Sequence, residues 1–237
     1  MATNKELLER IKRASSLSCE EKAALVREVS ERTTVAYEGF AETYASRRQV
    51  LSEFQKKELS DVHREVTEHF PNEKLFILDV GAGSALKTRY LHSLKGDTCF
   101  ALDNTDAFGC VSDDEITFIK SDMCRVPLGD ASVHFVLHCA TLHHLPFIDD
   151  AECGAVQAVR ESLRVLKPKG ILYIVVKYGN EAFFDEVGRF IQPFNEKSFR
   201  ELVKSCGGII LEMEKHKTRN PQPEWREWLH VKVGVSS

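Results

Sequence analysis

Apolar and charged positions alternate at helical spacing over the first seventy residues. Leu7, Leu8 and Ile11 recur on one helical face, and Ser18 and Glu21 have the spacing of a capping box that opens a second apolar series. A third series ends at Pro71. The pattern predicts a helical extension over residues 1–70. It is expected either to pack on the main domain or to close in part over a ligand.

From residue 74 the pattern changes to short apolar runs separated by amphipathic stretches. The runs occupy residues 75–80, 98–103, 116–119, 133–139 and 171–176, with predicted helices over 84–95 and 151–167. Short runs without apolar–polar alternation are typical of strands buried on both faces of a parallel sheet. The rhythm predicts one doubly wound α/β domain over residues 71–237.

The last sixty residues show a different arrangement of apolar and polar positions. Asn180 is predicted to cap a helix that carries the apolar residues of segment 183–191, and a second helix is predicted around 199–203. Two further runs, 209–213 and 228–233, flank a polar stretch over 215–224. They predict an antiparallel hairpin whose basic run (215–219) lies in the connecting loop.

Composition sets limits on the class of protein. The 237 residues are 43% hydrophobic and 29% charged, and the net charge is −4, so no global basic field favours nucleic acid. Seven cysteines without a CxxC pattern indicate reduced thiols. The longest apolar run is six residues, and four of the first ten residues are charged. We therefore expect a cytoplasmic protein, with a nuclear one not excluded, and no membrane partner.

The strongest chemical signal lies where the first predicted strand ends. Asp79 precedes Gly81 and Gly83, which permit a tight turn and a close backbone approach to a ligand ahead of a helix. Asp103 ends the next strand and is placed to accept hydrogen bonds from a ribose. A nicotinamide dinucleotide is the competing ligand. It is disfavoured because Leu86 occupies the position of the third glycine and Asp79 would repel a pyrophosphate.

In order and spacing, these motifs resemble those of class I S-adenosylmethionine (SAM)-dependent methyltransferases, in particular the methyltransferase type 11 group. Segment 121–123 resembles the acid-containing turn beside the adenine, and 126–136, 142–144 and 165–170 resemble later motifs. Ala85 replaces a common third glycine, and His134 replaces a usual acid. The resemblance implies a Rossmann-like, seven-stranded, mostly parallel sheet with a reversed C-terminal hairpin. It also implies SAM as cofactor, with S-adenosylhomocysteine (SAH) as product, held by Asp79, Gly81, Ala82, Gly83, Asp103, Asn104, Asp122, Met123 and His138.

Candidates for chemistry at the methyl group are fewer. The activated sulfonium needs mainly positioning, with a base only when the acceptor carries a proton. His143 and His144 are the candidate catalytic bases, although such a pair also supports the loop structurally. Tyr44, with Tyr37 as second choice, is expected to cover the methionine end of SAM through cation–π attraction. No metal site is expected, because the spacing of the histidines and Cys139 matches no zinc pattern.

The acceptor is the open question. The C-terminal part leaves no separate substrate domain, which favours a small molecule enclosed by the helical extension. A tRNA- or protein-directed methyltransferase, or a non-catalytic SAM-binding interaction protein, remains an alternative. Nucleic acid is possible as a partner but is not indicated by the net charge.

Overall fold

The computed structural model describes residues 2–41, 43, 50–109, 112–148, 153–219 and 225–235. The helices are α1 (Asn4–Lys12), α2 (Cys19–Glu38), α3 (Glu53–His69), α4 (Leu86–Lys95), α5 (Gly154–Val165) and α6 (Glu196–Ser205). The first strands are β1 (Phe76–Val80), β2 (Thr98–Asp103), β3 (Ile116–Lys120), β4 (Val133–Cys139) and β5 (Leu166–Lys177). They are followed by β6 (Phe183–Phe184), β7 (Phe190–Ile191), β8 (Gly208–Arg219) and β9 (Trp225–Val235).

Seven of the described strands form one sheet in the order β3-β2-β1-β4-β5-β9-β8. Strands β1 to β5 run parallel, whereas β9 is antiparallel to both β5 and β8. The order reverses at β1, so the loops after β1 and β4 diverge at the carboxyl edge and leave a crevice there. This confirms the predicted Rossmann-like sheet with its reversed C-terminal hairpin.

The sheet is covered on both faces, which explains its continuous apolar runs. Leu78, Val80 and Val136 belong to the core on the side of α5 and α6, and Ile77 and Phe135 belong to the core of the opposite face. Neighbouring residues therefore alternate between two buried cores.

The N-terminal helices divide between two packing environments. Helices α1 and α2 share a small core with residues such as Ile148 and Phe190, whereas α3 packs its Leu59, Val62 and Val66 on the sheet. Helices α1, α2 and α3 each begin at a capping box. The domain boundary at residue 70 stays a prediction, and α3 contributes to the main core.

Two local predictions were wrong. Segment 183–191 is a short hairpin (β6 and β7) and not a helix, because Asp185 accepts backbone N–H groups from Val187 and Arg189 and closes a tight turn with Gly188 at φ +89°. The predicted cap, Asn180, instead accepts from Asn195. The basic run at 215–219 lies in β8, since the hairpin pairs out to Arg219 and Trp225.

No helix among the described residues is long and apolar enough to cross a membrane.

Candidate active site

The glycine loop after β1 is held by backbone contacts. The N–H groups of Gly81 and Ala82 both donate to Leu102 O, at 2.8 and 3.0 Å, which ties the loop to β2. Gly81 has φ +69°, and a Cβ there would overlap the side chain of Thr141, which follows β4. Glycine is therefore required here by conformation and by the close approach of Thr141.

Asp103, at the end of β2, is buried beside this loop. Its Oδ2 accepts from Gly83 N at 2.8 Å, and its Oδ1 accepts from Thr105 N at 3.2 Å. Burial raises the pKa of the Asp103 carboxyl, and these backbone donors oppose the rise. Each carboxylate oxygen keeps acceptor capacity toward the crevice, so Asp103 is oriented to receive a pair of hydroxyl groups.

Asp79, the next-to-last residue of β1, is another of the predicted cofactor residues. It does not border the crevice; it is buried behind the glycine loop and accepts from the Thr88 hydroxyl of α4 at 2.7 Å. Burial raises the pKa of its carboxyl, and the positive charge of Lys87 opposes that rise. Its geometry indicates support of the loop, and direct contact with a cofactor stays a prediction.

The remaining predicted cofactor residues, apart from His138 and Tyr44, border the crevice. Gly81, Ala82, Gly83, Asn104, Asp122 and Met123 all line it. The Asn104 side chain donates to the Thr34 hydroxyl of α2 at 2.7 Å, and Asp122 Oδ1 accepts from Cys124 N at 2.8 Å. Asp122 thus lies just past the end of β3, where an adenine amine is expected.

His138 does not reach the crevice. It lies in the core on the α5 side, 2.8 Å from the Ser162 hydroxyl, and Ser162 itself donates to Ala158 O. The shared proton therefore belongs to His138 Nε2. Burial lowers the pKa of His138 to about 3, so the imidazole is neutral. This position favours a packing role over the predicted cofactor contact.

One large cavity of about 760 Å³ extends along the carboxyl edge of the sheet. The glycine loop and Asp103 form one half. The other half is formed by α2, α3, the turn after β4, and β5, β7 and β9. Helix α2 is fastened to the site by its side chains, since Thr33 accepts from Phe190 N and Glu38 accepts from the Thr105 hydroxyl. Helices α2 and α3 of the N-terminal extension thus lie along the cavity, and closure of the extension over a ligand stays a prediction.

His144 has a defined tautomer in the second half of the cavity. Its Nδ1 lies 2.8 Å from Phe190 O, which can only accept, so Nδ1 carries the proton. Its Nε2 therefore accepts from the Tyr37 hydroxyl, 2.7 Å away. Burial, with a smaller contribution from the charge of nearby Arg189, lowers the pKa of His144 to about 4. At neutral pH, His144 is an uncharged acceptor.

Arg189 completes this group, and sequence reasoning missed it. Its Nη1 donates to the Tyr37 oxygen at 3.3 Å, and its guanidinium lies 5.1 Å from the centroid of the Tyr37 ring. An ion pair with Asp185 at 2.6 Å fixes the arginine. Arg189 lies 152 residues from Tyr37 in the chain, so no local motif signals the contact.

His143 points to the same cavity but is held differently. It is 2% exposed, and its Nδ1 accepts from Lys177 N at 3.4 Å. Burial lowers its pKa well below the usual value, and the neighbouring His144 contributes to that shift. Its ring packs 5.8 Å from Trp228. His143 is thus an uncharged residue that lines the cavity.

Tyr44 lies outside the described residues, so its predicted role as a cover stays a prediction. Tyr37, the second choice, lines the cavity and packs edge-on against Phe108 at 5.8 Å. Phe108 is in turn the nearest neighbour of a Cβ added at Gly83. An aromatic pair therefore spans the cavity between its two halves.

The residues present fit SAM. Gly83, at φ +56°, opens the backbone toward the cavity, where an added Cβ would meet only Phe108. Asp103 and Asp122 place carboxylates at the ends of adjacent strands, as a ribose and an adenine amine require. The volume lies within the ~300–1,000 Å³ typical of small-molecule sites.

Comparisons with known proteins agree with this geometry. Residues 78–174 match the family model described as "Methyltransferase domain". A 1,6-didemethyltoxoflavin-N1-methyltransferase from Burkholderia thailandensis, solved with 1,6-didemethyltoxoflavin and SAH, superposes with a TM-score of 0.61 at 16% identity, covering 86% of this chain and 89% of that one. No curated protein matches the sequence.

Two further structures share the fold. A SAM-dependent methyltransferase from Methanosarcina mazei gives a TM-score of 0.57 at 18% identity, covering 73% of this chain and 98% of that one. A putative methyltransferase from Haloferax volcanii, solved in complex with the Trm112 methyltransferase activator, gives 0.57 at 19% identity, covering 84% and 98%.

The matched segment, the sheet order and the glycine loop with Asp103 identify the class. Residues 78–174 are the core of a class I SAM-dependent methyltransferase, and the cofactor is SAM.

Proposed function

We propose that this enzyme methylates a small molecule held between the glycine loop and helix α2, and that Tyr37 and His144 receive the acceptor's proton. The observation that carries the proposal is that the hydrogen-bonded pair of Tyr37 and His144 lines the same cavity as the cofactor residues. His144 is 8% exposed, and Tyr37 covers it from α2. A compact acceptor reaches such a pair far more readily than a folded macromolecule does.

In this proposal, one half of the cavity binds SAM and the other half binds the acceptor. SAM, when bound, supplies a methyl group already activated by its sulfonium charge. The protein must then hold the acceptor in line and exclude water, which the aromatic rings of Tyr37, Phe108 and Trp228 favour. Positioning of this kind supplies most of the rate acceleration when the electrophile is already activated.

The hydrogen bonds define a route for a proton. Methyl transfer would break the bond between the SAM sulfur and the methyl carbon, release SAH and set free a proton of the acceptor atom. The Tyr37 oxygen would take up that proton while the Tyr37 hydroxyl gives its own proton to His144 Nε2. Arg189 donates to the Tyr37 oxygen and stabilises negative charge that develops there. His144 would then carry the positive charge that SAM gives up, so the net charge of the cavity would not change.

The similar structures supply context for this proposal. The Burkholderia thailandensis enzyme is solved with a small heterocyclic substrate and SAH, which is the kind of arrangement proposed here. The Haloferax volcanii protein is solved with an activator protein, which keeps a macromolecular acceptor as the alternative.

The test is a transfer assay with SAM labelled in its methyl group. The enzyme is incubated separately with the low-molecular-mass fraction, the RNA and the protein of an extract of the source organism. We expect label in the low-molecular-mass fraction and none with an Asp103→Ala control. Label in RNA or protein would contradict the proposal, and no label anywhere despite SAM binding would favour the non-catalytic alternative.

A further inference from the structure

Three potential metal ligands meet where α3 lies against the C-terminal hairpin. They are Glu58 of α3, His216 of β8 and His230 of β9, and their ligand atoms all lie within 4.8 Å of one another. Among the described residues this is the one such group of three. In the β8–β9 ladder, His216 pairs with Trp228 and His230 with Glu214, so the two histidines are diagonal neighbours with ring centroids 4.4 Å apart.

Hydrogen bonds through Tyr173 connect Glu58 and His230. The Tyr173 hydroxyl donates to Glu58 Oε2 at 2.8 Å, so the proton between Tyr173 and His230 Nδ1, 2.7 Å apart, belongs to the histidine. Glu58 Oε2 is also 3.2 Å from His230 Nδ1. Ligand atoms around a tetrahedral ion at 2.0–2.1 Å are separated by roughly 3.3 Å. The spacing therefore suits an ion that replaces the Nδ1 proton.

His216 is oriented by a neighbouring carboxylate. Its Nε2 lies 3.1 Å from Glu214 Oε2, which can only accept, so Nε2 carries the proton and Nδ1 is left with a lone pair. A histidine ligand commonly donates its other N–H to a carboxylate in this way. Phe54 packs edge-on against both imidazoles, at 5.4 and 5.9 Å, and restricts their rotation.

The surrounding charge favours a cation. A smaller cavity of about 210 Å³ beside the group is lined by four carboxylates (Glu58, Asp61, Glu212, Glu214) and two lysines (Lys57, Lys232). Both lysines are neutralised by ion pairs. Lys57 pairs with Asp61 at 2.6 Å, and Lys232 pairs with Glu65 and Glu212.

We infer that Glu58, His216 and His230 bind a divalent transition-metal ion, with Tyr173 beside it. Two imidazoles and a carboxylate are donors that suit Zn²⁺ and chemically similar ions. Because Glu58, Tyr173 and His230 also line the main cavity, the open side of the ion faces the acceptor half of that cavity. This placement would let the ion bind an oxygen of an acceptor.

Cobalt tests the inference without any acceptor. Untagged protein, treated with chelator and dialysed, is titrated with Co²⁺ while visible absorbance and heat are recorded. We expect one Co²⁺ per chain with visible absorption bands. His216→Ala and Glu58→Gln should each weaken binding at least about tenfold. His69→Ala, an exposed histidine on α3 that bonds Lys169 O, is the matched control and should bind as the parent does.

Absence of a saturable signal in the parent protein would overturn the inference, as would equal Co²⁺ binding by the parent and His216→Ala. His216 is only partly buried, and circular dichroism of each variant checks that the fold is kept. The titration uses no SAM and no acceptor, so its outcome is independent of the proposed methyl transfer.

Discussion

The two halves of the active cavity are built in different ways. The cofactor half comes from consecutive strand ends: the glycine loop after β1, Asp103 as the last residue of β2 and Asp122 after β3. The acceptor half is assembled from residues far apart in the chain, since Tyr37 contacts His144 over 107 residues and Arg189 over 152. The first half therefore depends on local turns at the ends of neighbouring strands, whereas the second depends on the packing of α2 against the turn after β4 and against β7.

Substitution of Gly81, in the cofactor half, should have the largest effect on the free energy of unfolding. Gly81→Ala places a Cβ onto Thr141 at positive φ, so strain and overlap together should lower the free energy of unfolding by about 4 kcal/mol. Gly96→Ala is the matched control, because Gly96 has φ +68° with no atom within 4 Å of the added Cβ. It should lose only about 1 kcal/mol in urea unfolding. Equal losses would show that Thr141 does not constrain the loop.

Asp103 tests the cofactor half alone. Asp103→Ala removes a charged acceptor for two ribose hydroxyls and should weaken SAM binding about 100-fold in calorimetry. Asp106→Ala, three residues later, removes an exposed carboxylate that pairs only with Lys120 in the described structure and should bind SAM as the parent does. If Asp106→Ala weakens SAM binding as strongly, the ribose is not held by Asp103.

Tyr37 tests the acceptor half alone. With an identified acceptor, Tyr37→Phe should lower the kcat of methyl transfer about 100-fold. The aromatic ring remains, but the hydroxyl that passes the proton to His144 is removed. The Kd for SAM should change little. A loss of SAM affinity with unchanged kcat would instead make Tyr37 part of the cofactor half.

The buried histidine gives the smallest effect. A His144 pKa of about 4 in the folded protein lies below the ordinary value near 6.5, so the unfolded chain binds the extra proton first. The stability from neutral His144 is complete above about pH 6.5 and is lost as the pH falls toward 4. Between pH 7 and pH 5 this costs about 2 kcal/mol.

His144→Gln should remove about that much of the pH dependence in urea unfolding at the two pH values. A variant that keeps the full pH dependence of the parent would show that His144 is not held neutral by burial.

The same contrast explains what the sequence could predict. Buried runs defined the strands, and the spacing of Gly81, Gly83, Asp103 and Asp122 indicated the cofactor class because those residues follow consecutive strands. The hairpin at 183–191 was mistaken for a helix, because the turn at Asp185 depends on side-chain acceptance that apolar spacing does not encode. The cofactor contact predicted for His138 could not be checked against its orientation from sequence, and in the structure its side chain faces Ser162.

The acceptor half was predicted only in part. The motif at 142–144 singles out His144. Its tautomer, however, is fixed by Phe190 O, and its hydrogen-bond donor is Tyr37 of α2, and neither contact can be read from the motif. The metal-ligand group escaped prediction for the same reason, because Glu58 and His230 are 172 residues apart. Such groups become visible only when the chain is folded.

The most direct test of the account is a crystal structure of the enzyme with SAH. We predict ribose hydroxyls on Asp103, the adenine beside Asp122 and Met123, and the sulfur facing the Tyr37–His144 pair across a space that admits a small acceptor. A sulfur directed away from Tyr37, with no room for an acceptor between them, would contradict the central claim that the two halves serve one reaction.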